Sequence, residues 1–152
     1  MFRVLFAVLF ALVASTVVAE DRVFVTDAGA IRGYDPVAYH RDSRAVPGAD
    51  DITHDWNGAT WHFASVANRD AFAAEPGRYA PRYGGYCAYG TSQGYKVSTD
   101  PEAFAVVDGV LYLNYNRAVQ ATWDSDRAGY IGRADANWTK LEDEPYDKGI
   151  ER

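Results

Sequence analysis

The stretch ITHDWNGATWHF, residues 52–63, decides the fold of this chain. Two strand-like runs flank Asn57-Gly58. Asn-Gly is the strongest short hairpin signal, because a type I′ turn needs positive φ at both central positions. A two-residue loop pairs Trp56 with Ala59, His54 with Trp61, and Ile52 with Phe63. Side chains alternate by two along a strand. Ile52, His54, Trp56, Ala59, Trp61 and Phe63 therefore share one face, and Thr53, Asp55, Thr60 and His62 the other. The first face is the apolar one, so His54 is expected to point inward and His62 towards water.

Reading towards the C-terminus, SVANRDAFAAEPGRYAP (residues 65–81) has the pattern of a short helix. Ser65 is a natural N-cap, Ala67, Ala71 and Phe72 form its packing stripe, and Pro76-Gly77 ends it. DPEAFAVVDGVLYLNY (residues 100–115) repeats the hairpin logic. Asp100-Pro101 starts a turn, and a second hairpin forms around Asp108-Gly109. Residues 117–140 are helical in pattern, with Val119, Trp123, Ile131, Ala134 and Trp138 at near-helical spacing and Gly129 as the point of bending or breakage. Reading towards the N-terminus, residues 20–33 form a short extended lead-in with a Gly-containing turn. Pro36 pushes Asp35 towards an extended conformation, and Val37-Ala38-Tyr39 begins a short strand. The fold class is α+β: a small antiparallel sheet of two hairpins with packed helices, in a single domain.

The first twenty residues, MFRVLFAVLFALVASTVVAE, stand apart. One early positive charge, an apolar run and small residues before Ala19 give the order of a secretory signal peptide, residues 1–19. The alternative is an uncleaved anchor, which would leave Met1–Ala19 on the purified protein. With cleavage the protein is periplasmic or secreted and keeps no membrane span. Residues 20–141 then form the domain, and 142–152 a polar, fraying tail. The chain of 152 residues has 15 basic and 21 acidic side chains, a formal net charge of −6. An acidic chain without a basic run is a poor partner for nucleic acid or anionic lipid.

There is one cysteine, Cys87, in YGGYCAYG (residues 83–90). It cannot form an internal disulfide, although exported proteins favour paired cysteines. Four readings compete: buried and inert, a metal ligand, a reactive thiol, or half of an intermolecular bridge. Cys87 with His54 offers thiolate and imidazole, a pair that suits copper or zinc. Asp35, His40 and His62 are further ligands by residue type only. The plain alternative is a satisfied core histidine and a small buried thiol. A Cys–His nucleophile would need an orienting Asn114 or Asp35. Tyr83, Tyr86, Tyr89 and Tyr95 cluster around the cysteine, and Gly84 and Gly85 permit a turn that exposes backbone N–H groups. Such a loop can bind a small planar or anionic ligand, with Tyr86, Tyr89, Gly84 and Gly85 in contact with it, or it can simply pack down. The templates of the common hydrolases, zinc proteases, phosphate loops and dinucleotide folds are absent from the sequence.

GYDPVAYH, WNGATWHFASVANRDAF with PGRYAPRYGGYCAYG, DPEAFAVVDGVLYLNYN and ADANWTKL, in that order, resemble the YHS domain family, and most closely its exported single-domain members. The resemblance spans roughly residues 33–141. It implies a small α+β binding module rather than an enzyme, and metal binding is commonly proposed for the family. Its short metal-associated members carry a cysteine after the first hairpin and another shortly beyond. This chain has Ala64 and Asn68 in that stretch, so only Cys87 can supply sulfur. The resulting expectation is a transition-metal site, copper or zinc, at Cys87, His54 and Asp35. The alternatives are a small-molecule or protein-partner site at the tyrosine-rich loop, or a thiol-dependent enzyme.

Overall fold

A computed structural model describes residues 21–148. The expected signal peptide and residues 149–152 lie outside the described residues. The elements run β1 (Val25–Thr26), β2 (Gly29–Ala30), α1 (Pro36–Arg41), β3 (Ala49–Trp56), β4 (Ala59–Phe63), α2 (Val66–Ala74), α3 (Pro76–Tyr79), α4 (Ala88–Ser92), β5 (Asp100–Val107), β6 (Val110–Asn114), α5 (Arg117–Asp124) and α6 (Arg127–Leu141). The architecture is α+β. Among the described residues the strands form three separate two-stranded antiparallel ladders, β1-β2, β3-β4 and β5-β6, rather than one sheet of two hairpins.

Both main hairpins turn where the sequence places them. Asn57 and Gly58 have φ of 51° and 76°, and Asp108 and Gly109 of 50° and 79°. The pairs Trp56–Ala59 and His54–Trp61 form as expected. Phe63, however, pairs with Ala49 instead of Ile52, because an irregularity between Ala49 and Thr53 shifts the register. That shift also changes His62. Its Nδ1 meets the Ala49 carbonyl at 3.1 Å, and the Gly29 backbone lies over its ring, so it is half-buried rather than turned to water.

Three helical segments differ from the sequence reading. Val37-Ala38-Tyr39 is helix, not strand: Asp35 caps α1 and Pro36 occupies its first turn, where a missing N–H costs nothing. In α2, Ser65 accepts from Asn68 N at 3.1 Å as expected, but Asn68 rather than Ala67 is buried beside Phe72. The C-terminal helix breaks before Gly129, because Asp126 caps α6 by accepting from Gly129 N at 3.1 Å.

β6 lies between two apolar clusters. Leu111 and Leu113 face one side with Tyr39, Trp61, Phe63 and Phe72. Tyr112 faces the other with Tyr83, Ala88, Trp123 and Ala134. Alternation by two thus buries both faces of one strand, which is why VLYLN is apolar almost throughout.

The first part of the polar tail is docked rather than frayed. Lys96, 4% exposed, donates to the carbonyls of Asp21 (2.7 Å), Glu142 (3.3 Å) and Glu144 (2.5 Å). Its ammonium lies 5.1 Å from the Tyr86 ring centre and 5.6 Å from that of Trp138. Tyr146 N donates to Asp21 Oδ2 at 2.8 Å.

Candidate functional site

The glycine-tyrosine segment makes an uncommon turn. Tyr83, Gly84 and Gly85 have φ of 56°, 62° and 85°, all left-handed. Ile31, Arg32 and Gly33 do the same, at 44°, 60° and 76°. The two turns pack on each other: a Cβ on Gly85 would stand 2.5 Å from Ile31 Cγ2. Phe24 N donates to Gly84 O at 2.9 Å, and Thr99 Oγ1 to Gly85 O at 2.9 Å. Left-handed backbone at tyrosine or isoleucine costs about 1–3 kcal/mol per residue and persists only where the surroundings fix it. At Tyr83 they do. Its buried ring lies 6.0 Å from both Tyr112 and Trp138, and its hydroxyl donates to Asp135 Oδ1 at 3.0 Å.

That geometry opens a cleft of about 590 Å³. Its lining comes from the turn itself (Arg82 to Gly84), from α6 (Asp135 and Trp138) and from the tips of both hairpins (Trp56 and Val110). Arg82 Nη2 approaches Asp135 Oδ1 at 3.4 Å. A smaller hollow of about 100 Å³ adjoins it, sharing Trp56, Gly84 and Trp138.

Of the loop residues expected to touch a ligand, only Gly84 lines this cleft. Tyr86 is buried, with its hydroxyl 3.4 Å from the Val23 carbonyl. Tyr89 packs on Tyr130 with ring centres 5.2 Å apart, and Gly85 is sealed against Ile31. Nothing in the sequence reading groups Trp56, Arg82, Tyr83, Asp135 and Trp138. The one local signal is the i, i+3 spacing of Asp135 and Trp138, which puts both on one face of α6.

The expected metal donors are not gathered. Among the described residues no three His, Cys, Asp or Glu side chains come together as a metal site. Asp35 is fully buried and saturated: Oδ1 accepts from Val37 N (2.8 Å) and Ala38 N (3.2 Å), Oδ2 from Ala64 N (2.9 Å) and Asn68 Nδ2 (2.7 Å). His54 lies edge-on to Phe72, with ring centres 6.2 Å apart. The Cys87 thiol is 1% exposed and caps α4. Its sulfur accepts from Gly90 N at 3.4 Å and Tyr115 N at 3.3 Å, and faces Asn114 Oδ1 at 3.6 Å. Asn114 thus contacts the thiol itself, whereas the nucleophile reading needs it to orient a histidine, and the sulfur is enclosed rather than set in an open cleft. His40 packs on Tyr79, and burial lowers its pKa.

Comparison with known proteins returns no matching family model, no matching curated protein and no matching solved structure. Among the described residues no helix is long and apolar enough to cross a membrane.

Burial also sets the alkaline behaviour of the fold. It pushes the phenols of Tyr39, Tyr83 and Tyr86 well above their ordinary value of 10.0; the Asp135 bond adds to this at Tyr83 and the charge of Asp21 at Tyr86. The folded state therefore holds these protons where the unfolded chain releases them. Their contribution is complete below about pH 10 and is lost as pH rises beyond it. The tyrosine contribution should lower urea midpoints as pH rises above about 10, with these tyrosines ionising only on unfolding. Tyrosinate absorbance that rises fully before the fold is lost would contradict this.

Proposed function

We propose that this chain is an exported binding module of the YHS type that holds a small organic molecule in the cleft beside the Tyr83 turn. The family part rests on the order of the resembling segments. The site part rests on one observation: the strained turn, both hairpin tips and α6 converge on a single cleft of about 590 Å³. That volume falls within the range of about 300–1,000 Å³ of ordinary ligand pockets. The wall contains neither cysteine nor histidine, so it offers no thiol and no imidazole to activate the Thr139 hydroxyl, which favours binding over nucleophilic chemistry.

The test is calorimetric titration with a panel of bicyclic aromatic compounds, using Trp56→Ala and Thr139→Gln. Trp56 supplies a flat apolar wall, and Thr139 is an exposed α6 position on the cleft where a longer side chain fills space. Saturable binding weakened about tenfold or more by either variant is expected. Binding indifferent to both places the ligand elsewhere and ends the reading. Copper(I) and zinc belong in the same series. Stoichiometric metal binding lost in both Cys87→Ser and His54→Ala would favour the metal site instead.

A further inference from the structure

We propose that the ligand of this cleft is an aromatic carboxylate, an inference that rests on the cleft reading above. Around the indoles, donors outnumber acceptors. Asp135 Oδ1 already receives the Tyr83 hydroxyl at 3.0 Å and Arg82 Nη2 at 3.4 Å. The Arg82 contact is single, long and half in water, with side-chain exposures of 52% and 42%, so it is easily exchanged. Tyr83 keeps Asp135 bonded when Arg82 turns away.

Arg78 also lines the cleft. Its guanidinium lies 5.4 Å from the Tyr79 ring centre and reaches Glu75 through one contact of 3.3 Å. The wall therefore presents two planar guanidinium forks with most of their N–H groups unspent, against one carboxylate already holding two donors. A carboxylate ligand accepts two parallel bonds from such a fork. An ammonium group would instead enter beside two like charges. Trp56 and Trp138 add flat apolar faces for the ring that carries the carboxylate. Each arginine has one carboxylate partner, Glu75 or Asp135, so what favours an anion here is the free N–H groups of the two forks rather than a net positive charge.

Full-length protein is titrated calorimetrically with 2-naphthoate, 2-naphthamide and 2-naphthylmethylammonium, which share one ring system. Naphthoate should bind at least about tenfold tighter than naphthamide, with the difference shrinking as salt is raised. Arg82→Gln should lower naphthoate affinity about tenfold and naphthamide affinity far less. Arg133→Gln, which removes an α6 arginine stacked on Tyr130 outside the cleft, should leave the preference intact. Circular dichroism confirms that each variant is folded. Equal or tighter binding of the amide or the ammonium overturns the carboxylate assignment and leaves the cleft standing. So does a naphthoate preference that survives Arg82→Gln. Failure of all three compounds to bind overturns both the cleft reading and this inference.

Discussion

Gly84→Ala is expected to cost more than about 4 kcal/mol, a large part of the stability of an ordinary domain. Two effects add. Alanine at φ of 62° carries the left-handed penalty, about 1–2 kcal/mol. The new Cβ also lands on the Arg22 carbonyl oxygen, with Arg22 C at 3.0 Å and Val23 Cα at 3.3 Å. These are backbone atoms, which have no rotamer to change. The chain would have to lift its N-terminal segment away and break the 2.9 Å bond from Phe24 N to Gly84 O. Gly77→Ala is the matched control: it has right-handed backbone and nothing within 4 Å of the methyl it would gain, so it should be neutral or mildly stabilising. Urea unfolding followed by tryptophan fluorescence measures both. A Gly84→Ala loss below about 1 kcal/mol would mean that the turn is not held against residues 22–24 as described.

Asp35→Ala should cost about 3–5 kcal/mol, because it leaves four donors without their acceptor at once, three of them in buried bonds. Val37 N and Ala38 N lose the α1 cap; Ala64 N and Asn68 Nδ2 lose the link from α1 to β4 and α2. Asn68 then has one fewer reason to hold its own oxygen for Arg41 Nη1, at 3.0 Å. Asp35→Asn is nearly isosteric and should still be costly. Whichever way its amide turns, the nitrogen meets two N–H donors with a third. Denaturant melts of both variants decide the matter. An asparagine variant as stable as the parent would show that the carboxylate's second oxygen contributes nothing.

These two positions also mark what can be read in the chain. Turns are legible at Asn57-Gly58 and Asp108-Gly109 because positive φ restricts residue choice locally. The Ser65 cap is legible for a similar reason. Asp35-Pro36 is an equally local signal for a helix start, but its extended backbone at Asp35 suits a strand just as well. Asp126 is masked because Gly129 looks like the weaker point of the helix, although its N–H is what Asp126 binds. The cleft is not legible. Trp56, Arg82 and Asp135 come from a hairpin tip, a turn and a helix face, and only tertiary packing brings them together. The sulfur of Cys87 shows the same limit: one of its donors, Tyr115 N, is 28 residues away. No residue-type argument for a metal ligand could reveal that the thiol is occupied in capping a helix.

The ammonium of Lys96, joining the Asp21 carbonyl to those of Glu142 and Glu144, makes the described chain almost a ring. The Tyr146 N to Asp21 Oδ2 bond closes it further. A few added residues could link the two ends covalently, and the exposed Asp108-Gly109 tip offers a place to open a new pair. Such a circular permutant would open the turn between β5 and β6 and move the ends to the rim of the cleft. A reporter fused there would sit beside whatever enters it.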